Sequence, residues 1–154
     1  MEIRDIKELE SFLKDYPEDR DVLVELGIAY AEQEEYKKAQ EIFEKATKLY
    51  PDDAIIYYDL GFLFKMMLLK DRQRLEYWED AADEQVMMDD AIYYFQKALE
   101  LNPDYVNALN NLGALYAIRN DYDEAISLWK RSLEIEPDQE DVKGDIQAIL
   151  DRLE

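Results

Sequence analysis

Apolar residues recur along this chain at helical spacing. Residues 3–15 place Ile6, Leu9, Phe12 and Leu13 on one face. Residues 140–153 do the same with Val142, Ile146, Ile149, Leu150 and Leu153, with acids opposite. Apolar positions three and four apart predict amphipathic helices. Between these flanks, three stretches share a finer pattern. The first has Leu23, Leu26-Gly27 and Tyr30, then Tyr36, Ala39, Phe43 and Ala46. The third has Leu109, Leu112-Gly113 and Tyr116, then Tyr122, Ala125, Trp129 and Ser132. The middle one has Tyr57, Leu60-Gly61 and Phe64, then Ala91, Phe95 and Ala98. Each reads as two helices that cross where the small residues fall, with large apolar residues filling the space between them.

Proline and glycine punctuate the pattern. Pro17, Pro51, Pro103 and Pro137 are spaced by 34, 52 and 34 residues. Gly27, Gly61 and Gly113 each follow a leucine and each fall ten residues after a proline. Proline cannot continue a helix but starts the next one well. Acids follow each proline (Glu18-Asp19, Asp52-Asp53, Asp104 and Asp138), where N-caps and first-turn acids belong.

The central spacing exceeds the other two by 18 residues, and the surplus falls between about Met67 and Met88. Leu68 to Met88 contains no Gly or Pro, which argues against a loose loop. Eighteen residues make five helical turns, so dividing them between the two helices gives a long hairpin reversing near Glu79–Ala82. Lys70, Arg72 and Arg74 precede that reversal, and Asp83, Glu84, Asp89 and Asp90 follow it; across an antiparallel hairpin they would face one another. A separate short helix at about 71–80 is the competing layout.

The repeated motif resembles the tetratricopeptide-repeat (TPR) family, whose 34-residue pattern runs W-x2-L-G-x2-Y, then A-x3-F, then P. Leu23, Tyr57 and Leu109 stand at the tryptophan position, and Ser132 replaces the last small alanine. The resemblance covers about residues 20–139. It implies an all-α, right-handed solenoid of antiparallel helix pairs with flanking helices at both ends. The expected division of the single domain, 1–154, is a leading helix at 3–16, repeats at 20–53, 54–105 (insertion about 68–88) and 106–139, and a capping helix at 140–154 that turns a polar face outward.

Charge narrows the partners. The chain carries 38 acidic and 18 basic side chains, a net −20, and the excess is spread along its length. Such a field disfavours nucleic acid and anionic membranes and steers basic partners inward; the alternative is that it serves solubility alone. The amino-terminal residues are charged, unlike a signal peptide, and no apolar run has the length of a membrane span. The expected location is cytoplasmic.

Composition also removes most chemistry. There is no His and no Cys, so histidine-based triads, thiol nucleophiles and thiolate or imidazole metal sites are excluded. No Gly-rich phosphate loop and no calcium loop is present. Paired acids such as Asp52-Asp53 and Asp89-Asp90 sit at helix starts, where first-turn stabilisation accounts for them. The expectation is a protein that is not an enzyme and needs no cofactor.

The family resemblance implies a groove lined by the first helix of each repeat. Carried onto this sequence, its groove positions are Asp21, Val24, Glu25, Ile28 and Glu32; then Ile55, Tyr58, Asp59, Phe62 and Met66; then Asn107, Asn110, Asn111, Ala114 and Ile118. TPR modules that grip acidic carboxy-terminal tails place Lys, Arg and Asn in such positions. Here Val24, Ile28, Tyr58 and Phe62 stand there, flanked by Glu25 and Asp59, so no such tail is expected to bind. Asn111 corresponds to an asparagine that some TPR arrays use to hold a peptide backbone; for all three asparagines a solvated polar face is the alternative. The leading expectation is a protein-interaction module that takes a basic or apolar peptide or helix. A small chaperone similar to TPR secretion chaperones is the second. A scaffold that self-associates through Tyr77 and Trp78 is the third, with Trp78 closing the hairpin's own core as its alternative.

Overall fold

The computed structural model describes residues 5–73 and 81–154, leaving aside the side chains at 71–73 and 81–83. Among the described residues the chain is helical throughout, without a strand: α1 (Ile6–Asp15), α2 (Arg20–Glu32), α3 (Tyr36–Leu49), α4 (Ala54–Gln73), α5 (Ala81–Leu101), α6 (Val106–Ile118), α7 (Tyr122–Ile135) and α8 (Glu140–Leu153). Consecutive helices pack on one another, and the most extensive contacts lie within α2–α3, α4–α5 and α6–α7. In addition, α4 touches both α2 and α6, so the first helices of the pairs stand side by side.

The pairs are built around one repeated contact. A Cβ on Gly27 would meet the Phe43 ring at 2.6 Å, one on Gly61 the Phe95 ring at 3.0 Å, and one on Gly113 the Trp129 indole at 2.5 Å. A Cβ would overlap the ring at Gly27 and Gly113, while at Gly61 the ring would have to give by a few tenths of an ångström; each aromatic partner is buried. This is why Leu-Gly recurs with a large aromatic in the following helix. Ala39, Ala46, Ala91, Ala98, Ala125 and Ser132 are buried beside the crossings, keeping the helices near each other along their length.

Helix α4 is buried on more sides than the others, which explains its poor alternation. Ile56, Leu60, Leu63, Phe64 and Leu68 are all buried, because it packs against α2, α3, α5 and α6. A helix with several packed faces needs a broad apolar surface. It spans 20 residues and α5 spans 21, against 13 for α2 and 14 for α3. The two continue to pack as far as Leu68 and Met88. Of the span where the reversal was expected, Glu79–Ala82, Ala81 and Ala82 instead lie within α5. The rest of that span, Glu79 and Asp80, lies outside the described residues.

The connections repeat as well. Glu34 and Asn120 have φ of 62° and 66°, and the turns around them carry matching bonds. Glu35 N–H donates to the Tyr30 carbonyl at 2.9 Å, and Asp121 N–H to the Tyr116 carbonyl at 2.9 Å. These are left-handed helix stops of the kind glycine or asparagine favours. At the proline turns, Asp19 caps α2 by accepting from Val22 N–H at 3.0 Å, and Asp53 accepts from Ile55 N–H at 3.0 Å. Asp104 and Asp138 make no such cap, contrary to expectation. The cap position is two residues after the proline, where α6 and α8 have Tyr105 and Gln139 instead.

Two surface expectations also changed. Lys70 does not face the α5 acids; it pairs with Glu34 in the α2–α3 turn. It stands two residues beyond buried Leu68, roughly half a turn round the helix. Asp89 lies 3.8 Å from Arg119 at the end of α6. On α8, Val142, Ile146 and Ile149 are buried but Leu150 and Leu153 are exposed; the helix packs chiefly against α7.

Candidate functional site

The expected groove residues project from α2, α4 and α6, and the structure divides them. Between α2 and α4 lies a cavity of about 250 Å³ lined by Ile28, Ala31, Glu32, Phe43, Asp59, Phe62, Leu63 and Met66. Ile28 is 41% exposed and Phe62 40%, and both border this cavity. The cavity thus joins Ile28, Asp59, Phe62 and Met66, which sequence placed in the groove. It adds Ala31, Leu63 and Phe43, of which Phe43 is the aromatic partner of Gly27. Val24 instead turns toward the packing of Leu23, Ala46 and Ile56, and Glu25 is half-buried on α2.

Asp59 is the unusual member. Its Oδ2 is closed off from solvent and has no hydrogen-bond partner. Burial pushes its carboxyl up to about 7; the Arg20 cation opposes this and the Asp53 charge adds to it. Arg20 is engaged elsewhere, donating from Nε to Asp53 at 2.6 Å and from Nη1 to Asp21 at 2.9 Å. Tyr58, beside Asp59, sits in an aromatic cluster, its ring centroid 4.9 Å from Tyr105, 5.6 Å from Phe95 and 6.1 Å from Phe62. Burial and then the Asp59 charge push the Tyr105 hydroxyl up to about 12.

Between α4 and α6 the same face is closed by hydrogen bonds. Lys65 Nζ donates to Asn111 Oδ1 at 2.6 Å. Asn111 Nδ2 donates to the Asn107 carbonyl at 2.8 Å and to the Tyr58 hydroxyl at 3.3 Å. Both amide hydrogens are therefore used within the protein, as is one lone pair of the carbonyl. Burial lowers the Lys65 ammonium below its ordinary range. Asn110 Nδ2 donates to Gln139 Oε1 at 2.6 Å, holding the turn before α8. Asn107 is exposed, and Ile118 packs on the main core. Tyr77 and Trp78 lie outside the described residues.

Lys65 was absent from the expected site. The signal for it was present: a single cation interrupting the apolar run from Phe62 to Leu69. Nothing along the chain, however, gives its reach across to α6. For metals, no group of three or more His, Cys, Asp or Glu with suitable geometry occurs among the described residues. No helix among them is long and apolar enough to cross a membrane.

Comparison with known proteins agrees with this architecture. Tetratricopeptide-repeat models match residues 20–53 and 94–127. The chain is 32% identical over 129 residues to the human protein O-mannosyl-transferase TMTC1, spanning 84% of this chain but 13% of that protein. It is 30% identical over 120 residues to interferon-induced protein with tetratricopeptide repeats 2 of Cricetulus griseus, covering 77% of this chain and 25% of the relative. The chain thus spans a quarter or less of either relative. Among solved structures, MamA superposes with a TM-score of 0.73 at 25% identity, covering 92% of this chain and 72% of that one. The first TPR of Spaghetti (RPAP3), bound to the HSP90 peptide SRMEEVD, superposes with a TM-score of 0.71 at 20% identity, covering 87% and 92%. One matched repeat coincides with the α2–α3 pair, and the same glycine–aromatic crossing returns in α4–α5 and α6–α7; the chain belongs to the tetratricopeptide-repeat family.

Proposed function

We propose that this chain is a protein-interaction module that holds a basic or apolar polypeptide segment on the face of α2, α4 and α6, chiefly in the cavity between α2 and α4. The observation that carries this is the exposure of Ile28 and Phe62 around that cavity. Exposed apolar surface gathered in a concavity is where partner chains dock. In this reading the chain has three helix-pair units, and the middle one, α4–α5, is lengthened by the residues around 68–88.

A protein of the same fold, the first TPR of Spaghetti (RPAP3), was solved with the peptide SRMEEVD, which supports peptide holding as the general role. The partner here differs in charge. SRMEEVD has three acids and one base, whereas the α2–α4 cavity presents Glu32 and Asp59 and, among the described residues, no cation. Like charges brought together on a docking surface repel, so an acidic tail is disfavoured and a basic or apolar segment is suited. The expected affinity for SRMEEVD is no better than roughly 1 mM, near the threshold of detectable binding.

The test is co-purification from native lysate with wild type and with Phe62→Arg. Loss of the captured partners in the variant is expected, and an unchanged partner list would remove the α2–α4 cavity from the binding surface.

A further inference from the structure

The cavity between α2 and α4 has one feature that a purely apolar partner leaves unused. Asp59 lines it beside Ile28, Phe62 and Met66, with a carboxylate oxygen that no donor reaches. A buried charged acceptor without a donor costs more than the roughly 1–3 kcal/mol of a neutral one, and proteins seldom keep one idle. Arg20, the cation whose charge acts on Asp59, is held at 2.6 Å by Asp53 and at 2.9 Å by Asp21. Among the described residues no cation lines the cavity. Lys65, farther along α4, is turned to Asn111 at 2.6 Å.

We propose that Asp59, turning its carboxylate toward the cavity that it lines, receives one cationic side chain, lysine or arginine, of the bound segment, while an adjacent apolar side chain of that segment fills the cavity against Ile28, Phe62 and Met66. This rests on the groove reading above and narrows it to a partner motif of one base next to one apolar residue. The chemistry matches on both counts. A lysine or arginine stem lies well along apolar surface while its head reaches a carboxylate. The net −20 of the chain draws a cation toward the face from a distance.

The groups around Asp59 give the site a pH sense. Arg20 and Asp53 act on it as charges, and Glu32 shares the cavity from α2. Tyr58 on α4 and Tyr105 at the head of α6 feel its charge, and α3 contributes only Phe43 to the cavity wall. With the carboxyl raised to about 7, the free site is largely protonated in mild acid. An incoming cation favours the ionised form, so the base is held best above pH 7 and released as pH falls.

A display library of random linear peptides, selected on the full chain, tests this. Wild type is expected to enrich Lys or Arg beside an apolar residue, and Asp59→Asn, which preserves side-chain shape, to lose the preference for the base. A selected peptide should bind wild type about tenfold more tightly than its norleucine counterpart, about 1.4 kcal/mol. That preference should fade between about pH 8 and about pH 5.5 and vanish in Asp59→Asn. Enrichment of apolar peptides without a base, kept by Asp59→Asn and lost by Phe62→Arg, overturns the cation site and leaves the groove reading standing. No enrichment, or enrichment indifferent to Phe62→Arg, overturns the groove reading and this inference with it.

Discussion

The two halves of the α2, α4, α6 face begin from equivalent positions and end differently. Between α2 and α4, Ile28 and Phe62 stay exposed around a cavity, and Asp59 keeps an oxygen without a donor. Between α4 and α6, Lys65 reaches Asn111 and Asn111 reaches Tyr58, so the polar groups satisfy one another. A place in the repeat gives a side chain its direction but does not decide its availability. That is set by whether a long neighbour on the next helix can reach it. On α4 the long side chain, Lys65, points toward α6, and the α2 side is left with an unsatisfied carboxylate.

The strongest way to break this contrast is to fill the open half from beneath. Gly27→Val would place a branched side chain where the Phe43 ring now lies 2.6 Å from a notional Cβ. Phe43 lines the cavity, so its displacement should collapse the pocket and cost about 3 kcal/mol. Thermal melting should fall by roughly 6–12 °C, with peptide binding lost at temperatures where the variant remains folded.

Opening the closed half should have the next largest effect. Asn111→Ala removes the acceptor of Lys65 and leaves a part-buried cation unpaired, at a cost of about 2 kcal/mol. Denaturant unfolding at neutral pH measures it. Since burial already lowers the Lys65 pKa, the neutral amine forms more readily in the folded state. The cost should therefore shrink as pH rises toward the ordinary lysine range near 10.

Asp59→Asn makes the open half less demanding and tests its carboxylate directly. Asp59 titrates near 7 in the folded chain and near 4 when unfolded. Between those values the native state holds a proton that the unfolded state has released. Stability therefore falls as pH rises from about 4 to about 7 and stays lower above. The variant should melt roughly 4–8 °C above wild type at pH 8, about 2 kcal/mol, and alongside it near pH 4. A gain independent of pH would show that the charge is not the cause. The smallest effect concerns the turn behind the closed half: Asn120→Ala, at φ 66°, should cost about 1 kcal/mol without altering peptide binding.

The glycine–aromatic crossings were legible in the sequence because each is a contact of one residue pair at a fixed offset from a proline. That Ile28, Asp59, Phe62 and Met66 share one cavity agrees with the positions that the family resemblance assigned them. The fate of Asn111 was not legible. It depends on Lys65, 46 residues away in sequence but 2.6 Å away in space, and that distance follows from how α4 leans on α6. The caps expected of Asp104 and Asp138 failed by one residue, because the acid and the cap position separate when Tyr105 or Gln139 takes the second place after proline. Exposed Leu150 and Leu153 read as core from spacing alone, yet the main packing of α8 is against α7.

The crossing contacts also bear on how the chain closes its loops during folding. Gly27 and Phe43, like Gly113 and Trp129, meet across 16 residues, while Gly61 and Phe95 meet across 34. Loop-closure entropy grows only with the logarithm of length, so the longer closure costs about 0.7 kcal/mol more. The outer pairs are thus favoured to form first and the central pair to close between them, at a small entropic disadvantage. The tip of the α4–α5 pair is for that reason a place where this solenoid can gain length at little cost to its stability.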